Sequence, residues 1–169
     1  VKILEPQWPK LGAGQYNAEI SALLGADADV VHTSLWGGDL ESFILQAAPR
    51  ELFKKSLVVL SAGEHVVDRL ETQVPEGTPF GARGPHNYYA PDNELNRWLR
   101  KRYQERYKVT PIQATYKMVQ AFLGVKSAYE KAMEKNAGKH PDKGQIIAAL
   151  EYHTWEGPSG KVEMKIGKG

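Results

Sequence analysis

Two short stretches hold the residues best placed to touch a small molecule. One is Ser34-Leu35-Trp36-Gly37-Gly38-Asp39 and the other is Leu60-Ser61-Ala62-Gly63-Glu64. Each closes an apolar run and opens a helical pattern, and in open α/β sheets ligands gather at the carboxyl ends of strands. Trp36 at such an edge is either a flat apolar wall for a ligand or a core side chain. Gly37 makes the turn, and Asp39 stands where it would cap the following helix. Glu64 is either an acceptor for a ligand ammonium or a negative charge favoured at a helix N-terminus, worth about 0.3–1 kcal/mol.

Other chemistries find less support. Gly12-Ala13-Gly14 is a lone GxG with no third glycine and no acidic partner at the end of a next strand, and no GxxxxGK[ST] occurs, so no phosphate loop is visible. The five histidines (His32, His65, His86, His140 and His153) show neither HxxxH nor HExxH spacing, and no metal or cofactor is expected. Glu64-His65 resembles an acid–base pair, but adjacent side chains on a helix do not face each other. A serine nucleophile lacks its GxSxG, and the absence of cysteine excludes disulfides, thiolate catalysis and Cys-ligated zinc. The 22 basic and 20 acidic residues balance to +2, which argues against nucleic acid as a partner. Arg97, Arg100, Lys101, Arg102, Arg106 and Lys108 read as the solvated face of one helix. The chain is therefore expected not to be an enzyme.

The elements that must position these residues follow from periodicity. With 41% hydrophobic and 25% charged residues the chain can bury a core, and no run of about 18 apolar residues spans a bilayer. Val1–Leu4 reads as a strand met in its middle, which suggests a piece of something longer. Tyr16, Ile20, Leu23 and Leu24 mark one helical face, and Leu40, Phe43, Ile44 and Ala47 mark another, closed by Pro49. Asp29–Leu35 and Ser56–Leu60 are apolar strands, a helix is expected from Glu64 to Leu70, and a fourth strand at Thr78–Ala82. Such alternation predicts an α/β fold, a mainly parallel sheet covered by helices on both faces. Gly84–Asp92 is turn-rich and aromatic, as in a linker or hinge. Asp92 is expected to cap a helix carrying Leu95, Trp98, Leu99 and Tyr103, and Pro111 to sit in the first turn of a long helix burying Tyr116, Val119, Leu123, Gly124 and Ala128. Gly138 ends that helix, Asp142 caps a last one, and the tail reads as a loop with one short strand.

Taken in order, several segments resemble a known family. These are Ala28-Asp29-Val30-Val31, the helix ending Phe43-Ile44-Leu45-Gln46-Ala47, the W-L-x-x-x-Y-x-x-x-Y pattern within 96–107, Pro111-Ile112-Gln113-Ala114-Thr115-Tyr116, Ile146–Leu150, and Glu156-Gly157-Pro158-Ser159-Gly160-Lys161-Val162. Their order and spacing are similar to branched-chain-amino-acid-type substrate-binding proteins of ABC transporters, the type I periplasmic binding proteins, over the C-terminal half alone. The resemblance implies a partial flavodoxin-like lobe of a hinged clamshell. Residues 1–83 would be the incomplete sheet of the C-terminal lobe, 84–150 the hinge crossing and helices of the N-terminal lobe, and 151–169 the return segment.

The resemblance also implies a function. The parent would be an extracytoplasmic receptor, periplasmic or exposed at the cell surface. It would take an amino acid or a small aromatic or aliphatic acid in the interlobe cleft and deliver it to the membrane permease of an ABC transporter. Trp36 falls where relatives place an aromatic ring against the ligand, and Glu64 where amino-acid-binding relatives place a carboxylate on the ammonium. Gly37 and Asp39 share that edge, Ile112 and Gln113 approach the ligand side chain, and Tyr88 lies near the hinge. Self-association through uncovered apolar surface is a further expectation. The alternatives are a sensory or regulatory domain of the same fold, or a nucleotide-dependent enzyme on a flavodoxin-like sheet.

Overall fold

The computed structural model describes residues 1–165. The chain forms two compact units, Val1–Arg83 and Gly84–Gly169.

In the first unit, α1 (Asn17–Ala26) leads into β1 (Val30–Thr33). A helical connection, α2 (Gly37–Ala47) and the single turn α3 (Leu52–Lys55), carries the chain to β2 (Leu57–Leu60), and α4 (Glu64–Leu70) follows. β1 and β2 pair in parallel, with Val30 opposite Leu57 and Thr33 opposite Leu60. The two-residue period sorts the strands: Val31, Thr33, Val58 and Leu60 are buried, while Val30 and Leu57 are exposed. Helices therefore cover one face of this small sheet, not both as expected. On that face lie Leu40, Phe43, Ile44 and Ala47 of α2, the four positions the helical spacing singles out, with Tyr16 and Ile20 from α1. Phe43 meets Tyr16 edge-on at 6.0 Å between ring centroids. Each such large apolar side chain contributes about 1.5–3 kcal/mol by burial.

Two strand expectations need correction. Residues 1–10 carry no regular structure, and Val1 and Ile3 are exposed; among the described residues no strand pairs with Val1–Leu4 to supply ladder partners. The strand expected at Thr78–Ala82 reduces to one parallel bridge between Phe80 and Leu60. Pro79 has no N–H to give, and Gly81 lies so close to the Ser61 carbonyl that an added Cβ would sit 2.9 Å from its oxygen.

In the second unit a 3-10 turn (Asn87–Tyr89) precedes α5 (Glu94–Tyr107), α6 (Gln113–Lys135) and α7 (Lys143–Leu150). Asn93, not Asp92, caps α5: its side chain accepts from the Asn96 amide at 2.8 Å, while Asp92 pairs with Arg97. Pro111 lies outside α6, because Ile112 is still extended (ψ 169°) and helical dihedrals begin at Gln113. Tyr116, Gly124, Ala128 and Ala132 form the buried strip of α6. α7 packs on it through Ala149, small side chains that let the two helices approach closely. Asp142 caps α7 in a reciprocal box with Gln145. The tail is a hairpin, not a loop and single strand: β3 (Thr154–Gly157) pairs antiparallel with β4 (Gly160–Glu163). Gly160 takes the positive φ of 102° at the turn, and the Trp155 indole N–H donates to the Gln120 carbonyl at 2.9 Å, which seats the hairpin on α6.

The result is a helix-rich α/β architecture with a small parallel sheet. Among the described residues no helix is long and apolar enough to cross a membrane.

Candidate functional site

Because β1 and β2 are adjacent and parallel, the loops that follow them leave the sheet at the same edge. The first loop delivers Trp36 as the N-cap of α2, and the second delivers Glu64 as the first residue of α4. Trp36 is 61% exposed, which removes the core-packing alternative for its ring. Gly37 holds φ at +59°, a conformation that only glycine adopts without strain. Its amide donates to Nε2 of His65 at 2.9 Å. That bond ties the two loops together, so the residues flanking Trp36 and Glu64 share one contact.

Glu64 is 9% exposed, and its Oε2 is buried without a hydrogen-bond partner among the described residues. A buried acceptor left unmade costs about 1–3 kcal/mol, more when ionised. Glu64 thus stands at the same sheet edge as the exposed ring of Trp36.

Asp39 is committed elsewhere and caps no helix. Its Oδ1 accepts from the Tyr16 hydroxyl at 2.6 Å and its Oδ2 from the Gly12 amide at 2.8 Å. Those two bonds hold the Asp39 carboxyl below the usual carboxylate range. Burial first, and then the same Asp39 bond and charge, push the Tyr16 hydroxyl up to about 12. The Gly12-Ala13-Gly14 segment thus serves as a tether to α2.

In the second unit Tyr88 is 73% exposed, and the Arg100 guanidinium lies over its ring at 3.7 Å from the centroid. Ile112 is the half-buried N-cap of α6. Gln113 begins the helix at 4% exposure, with its Nε2 buried and unpartnered among the described residues. Asn96, unremarked in the sequence, is a hub: its Nδ2 donates to the Asn87 and Pro91 carbonyls and its Oδ1 accepts from the Tyr116 hydroxyl.

Sequence reasoning missed His65 as a partner of Gly37 and missed the Ser61–His32 contact at 2.5 Å across the strand ends. The adjacency of Glu64 and His65 was the only signal, and His65 reaches toward α2. No cluster of three or more His, Asp or Glu able to hold a metal stands among the described residues.

A family model described as periplasmic binding protein matches residues 1–169, the whole chain. The chain belongs to the periplasmic binding protein family. No curated protein matches it. Among solved structures, this family member is similar to an amino acid ABC transporter substrate-binding protein from Pseudomonas fluorescens Pf-5, with TM-score 0.67, 21% identity, 94% of this chain covered and 41% of that one. It is also similar to an ABC transporter solute-binding protein from R. palustris in complex with benzoate, with TM-score 0.65, 16% identity, and 90% and 40% of the two chains covered. A third is a solute-binding protein from Rhodopseudomonas palustris BisB5 in complex with 3,4-dihydroxybenzoic acid, with TM-score 0.62, 21% identity, and 89% and 40% covered. The chain spans about two-fifths of the length of these structures; at these identities the likeness establishes the fold.

Proposed function

We propose that this chain is part of an extracytoplasmic solute receptor that binds a small organic molecule, performs no chemistry on it and presents it to the permease of an ABC transporter. The observation that carries the reading is the unpartnered, buried carboxylate oxygen of Glu64 at the same sheet edge as the exposed ring of Trp36. Trp36 and Gly37 supply contact area, and Glu64 accepts a charge-assisted hydrogen bond from the ligand. Asp39 acts behind them, by anchoring the start of α2. On the second unit Tyr88, Ile112 and Gln113 are the proposed contacts, with the orphan Nε2 of Gln113 as a donor for a ligand oxygen.

Glu64 narrows the ligand class. A buried acceptor oxygen without a partner calls for a ligand that carries a donor: an ammonium, an amide N–H or a phenol. An α-amino acid meets that requirement through its ammonium.

The test is a thermal-shift and calorimetric panel on the full-length receptor that carries these residues, with L-leucine, benzoate, 3,4-dihydroxybenzoate and the nucleotides ATP and NAD as probes. L-Leucine is expected to raise the melting temperature. Glu64→Gln is expected to weaken it by about tenfold or more, the worth of a charge-assisted bond, with benzoate unaffected. A melting temperature that rises only with nucleotides sinks the receptor reading in favour of an enzyme. The present chain alone is proposed to self-associate through apolar side chains such as Met118 and Phe122, exposed on α6. A single monomeric boundary in sedimentation velocity at high concentration is the result against it.

A further inference from the structure

Four amides at a helix start have no intrahelical partner, and α2 starts without a side-chain cap. Gly37 is its first residue, and its N–H is met from outside the helix by Nε2 of His65, at 2.9 Å. Accepting there requires the neutral imidazole with its proton on Nδ1. We propose that His65 is the positioning residue of the binding edge, a neutral-imidazole acceptor that holds the Trp36–Gly37 turn in register with Glu64 and releases it on protonation. This rests on the receptor reading above.

The geometry makes the device one-directional. An imidazolium presents N–H at both nitrogens, so Nε2 would turn from acceptor to donor against the Gly37 amide. It would also place a positive charge against the positive end of α2. The turn it secures contains a residue at φ +59° and an N-cap tryptophan with 61% of its surface exposed, so the ring has little packing of its own to hold it. Loss of the bond therefore frees the ring at the sheet edge it shares with Glu64.

Other charges on the packed elements are accounted for. On α2, Asp39 is held by Gly12 and Tyr16, and Glu41 pairs with Arg69 of α4 at 3.0 Å. α4 also carries Glu64 and Asp68, the 3-10 turn after it carries Glu71, and the segment that returns along β2 carries Glu76 and Arg83. On β1, His32 contacts Ser61. His65→Gln leaves every one of these in place, and the glutamine amide oxygen reaches about as far as Nε2 while accepting at any pH. The difference between the two pH profiles then reports His65 alone.

The experiment measures L-leucine affinity of the full-length receptor between pH 8 and 5.5, a range in which this probe stays zwitterionic. The wild type, His65→Gln and His65→Ala are compared, and the Gly37 amide and His65 ring nitrogens are followed by NMR. Wild-type affinity is expected to fall about fivefold on acidification, the worth of one hydrogen bond. His65→Gln is expected to keep high affinity with a flatter profile, and His65→Ala to be weak throughout with an unchanged circular dichroism spectrum. The Gly37 amide shift is expected to share the midpoint of the His65 ring. A His65→Gln profile that superimposes on the wild type overturns the proposal, as does a Gly37 amide indifferent to the His65 titration. If L-leucine, benzoate and 3,4-dihydroxybenzoate all fail to bind while the amide still follows His65, the receptor reading fails, and the positioning role with it, by a signature distinct from failure of the hydrogen bond.

Discussion

Asp39 shows how one carboxylate at the sheet edge can be drawn into the scaffold. Its two oxygens receive the Tyr16 hydroxyl and the Gly12 amide, donors 23 and 27 residues away. Because its carboxyl is held low when folded, its stabilisation is present above the unfolded value near 3.8 and is lost as pH falls through the lower folded value. Tyr16 has the opposite sign. With its hydroxyl raised from 10.0 to about 12, its contribution is full below pH 10 and lost as pH rises toward 12. Asp39→Asn is expected to lower the melting temperature by a few degrees at pH 7 and to flatten the acid limb, because one amide oxygen cannot serve both donors. Tyr16→Phe should cost about 1–2 kcal/mol at pH 7 and soften the alkaline limb. Melting curves from pH 3 to 11 check both, and an unchanged acid limb in Asp39→Asn would show the pair to be idle. Asn96, 1% exposed, makes a sharper case. Asn96→Asp keeps the acceptor for Tyr116 but sets lone pairs against the Asn87 and Pro91 carbonyls, so it should destabilise by about 3 kcal/mol or more in urea unfolding, beyond the cost of Asn96→Ala. The long-range pairings were not legible in the sequence, since nothing local at Asp39 or Asn96 marks Tyr16, Gly12 or Tyr116, 20 to 27 residues off.

Elements were legible where their cause is local. The spacing of Leu40, Phe43, Ile44 and Ala47 fixes the buried face of α2, and Asp142 three residues before Gln145 fixes the start of α7. The edge bearing Trp36 and Glu64 was legible for the same reason, since two apolar runs each ending in a turn and a helix suffice to place it. The hairpin was not read, although Gly157-Pro158-Ser159-Gly160 carries its turn signal, because β4 is short and half polar. Its seat on α6 depends on Gly124, where an added Cβ would lie 2.5 Å from the Trp155 ring. That ring is anchored by its bond to Gln120 and stacked on His153, so it has little freedom to retreat. Gly124→Ala should therefore destabilise by about 1–3 kcal/mol through overpacking, against the roughly 1 kcal/mol that alanine gains over glycine in a helix. Gly25→Ala in α1, where an added Cβ meets nothing within 4 Å, is the matched control and should gain up to about 1 kcal/mol. Chemical denaturation of both variants decides the matter; equal gains at the two sites would show that the hairpin does not rest on α6.

At the scale of the molecule, the two units differ in how they are held. The first has a single connected core in which Tyr16, Ile20, Leu40, Ile44, Leu52, Val58, Leu60 and Val66 are fully or almost fully buried. Among the described residues of the second, the apolar core clusters are two small groups, Ala90, Leu99 and Tyr116 in one and Ala128, Ala132 and Ala149 in the other. Alanine buries little area, and at about 25 cal/mol per Å² the group between α6 and α7 is stabilised far less than the leucine- and isoleucine-rich core. Local opening should follow that inequality, since segments with few buried apolar contacts open at the smallest free energies. Native-state hydrogen exchange on this chain is expected to show the slowest amides at Val58, Leu60 and Ile44. Amides of α7 should exchange at least tenfold faster through an opening that leaves the first unit closed. A rise in protection of α7 alone on Ala149→Leu, in a position where 3% of the surface is exposed, would be limited by overpacking. Ala149→Gly, which removes the methyl and loosens the helix, is therefore the cleaner lever, and it should speed exchange in α7 while leaving β1 and β2 unchanged. Uniform protection across both units, shifted together by Ala149→Gly, would mean that the chain unfolds as one cooperative body and that its two cores are energetically one.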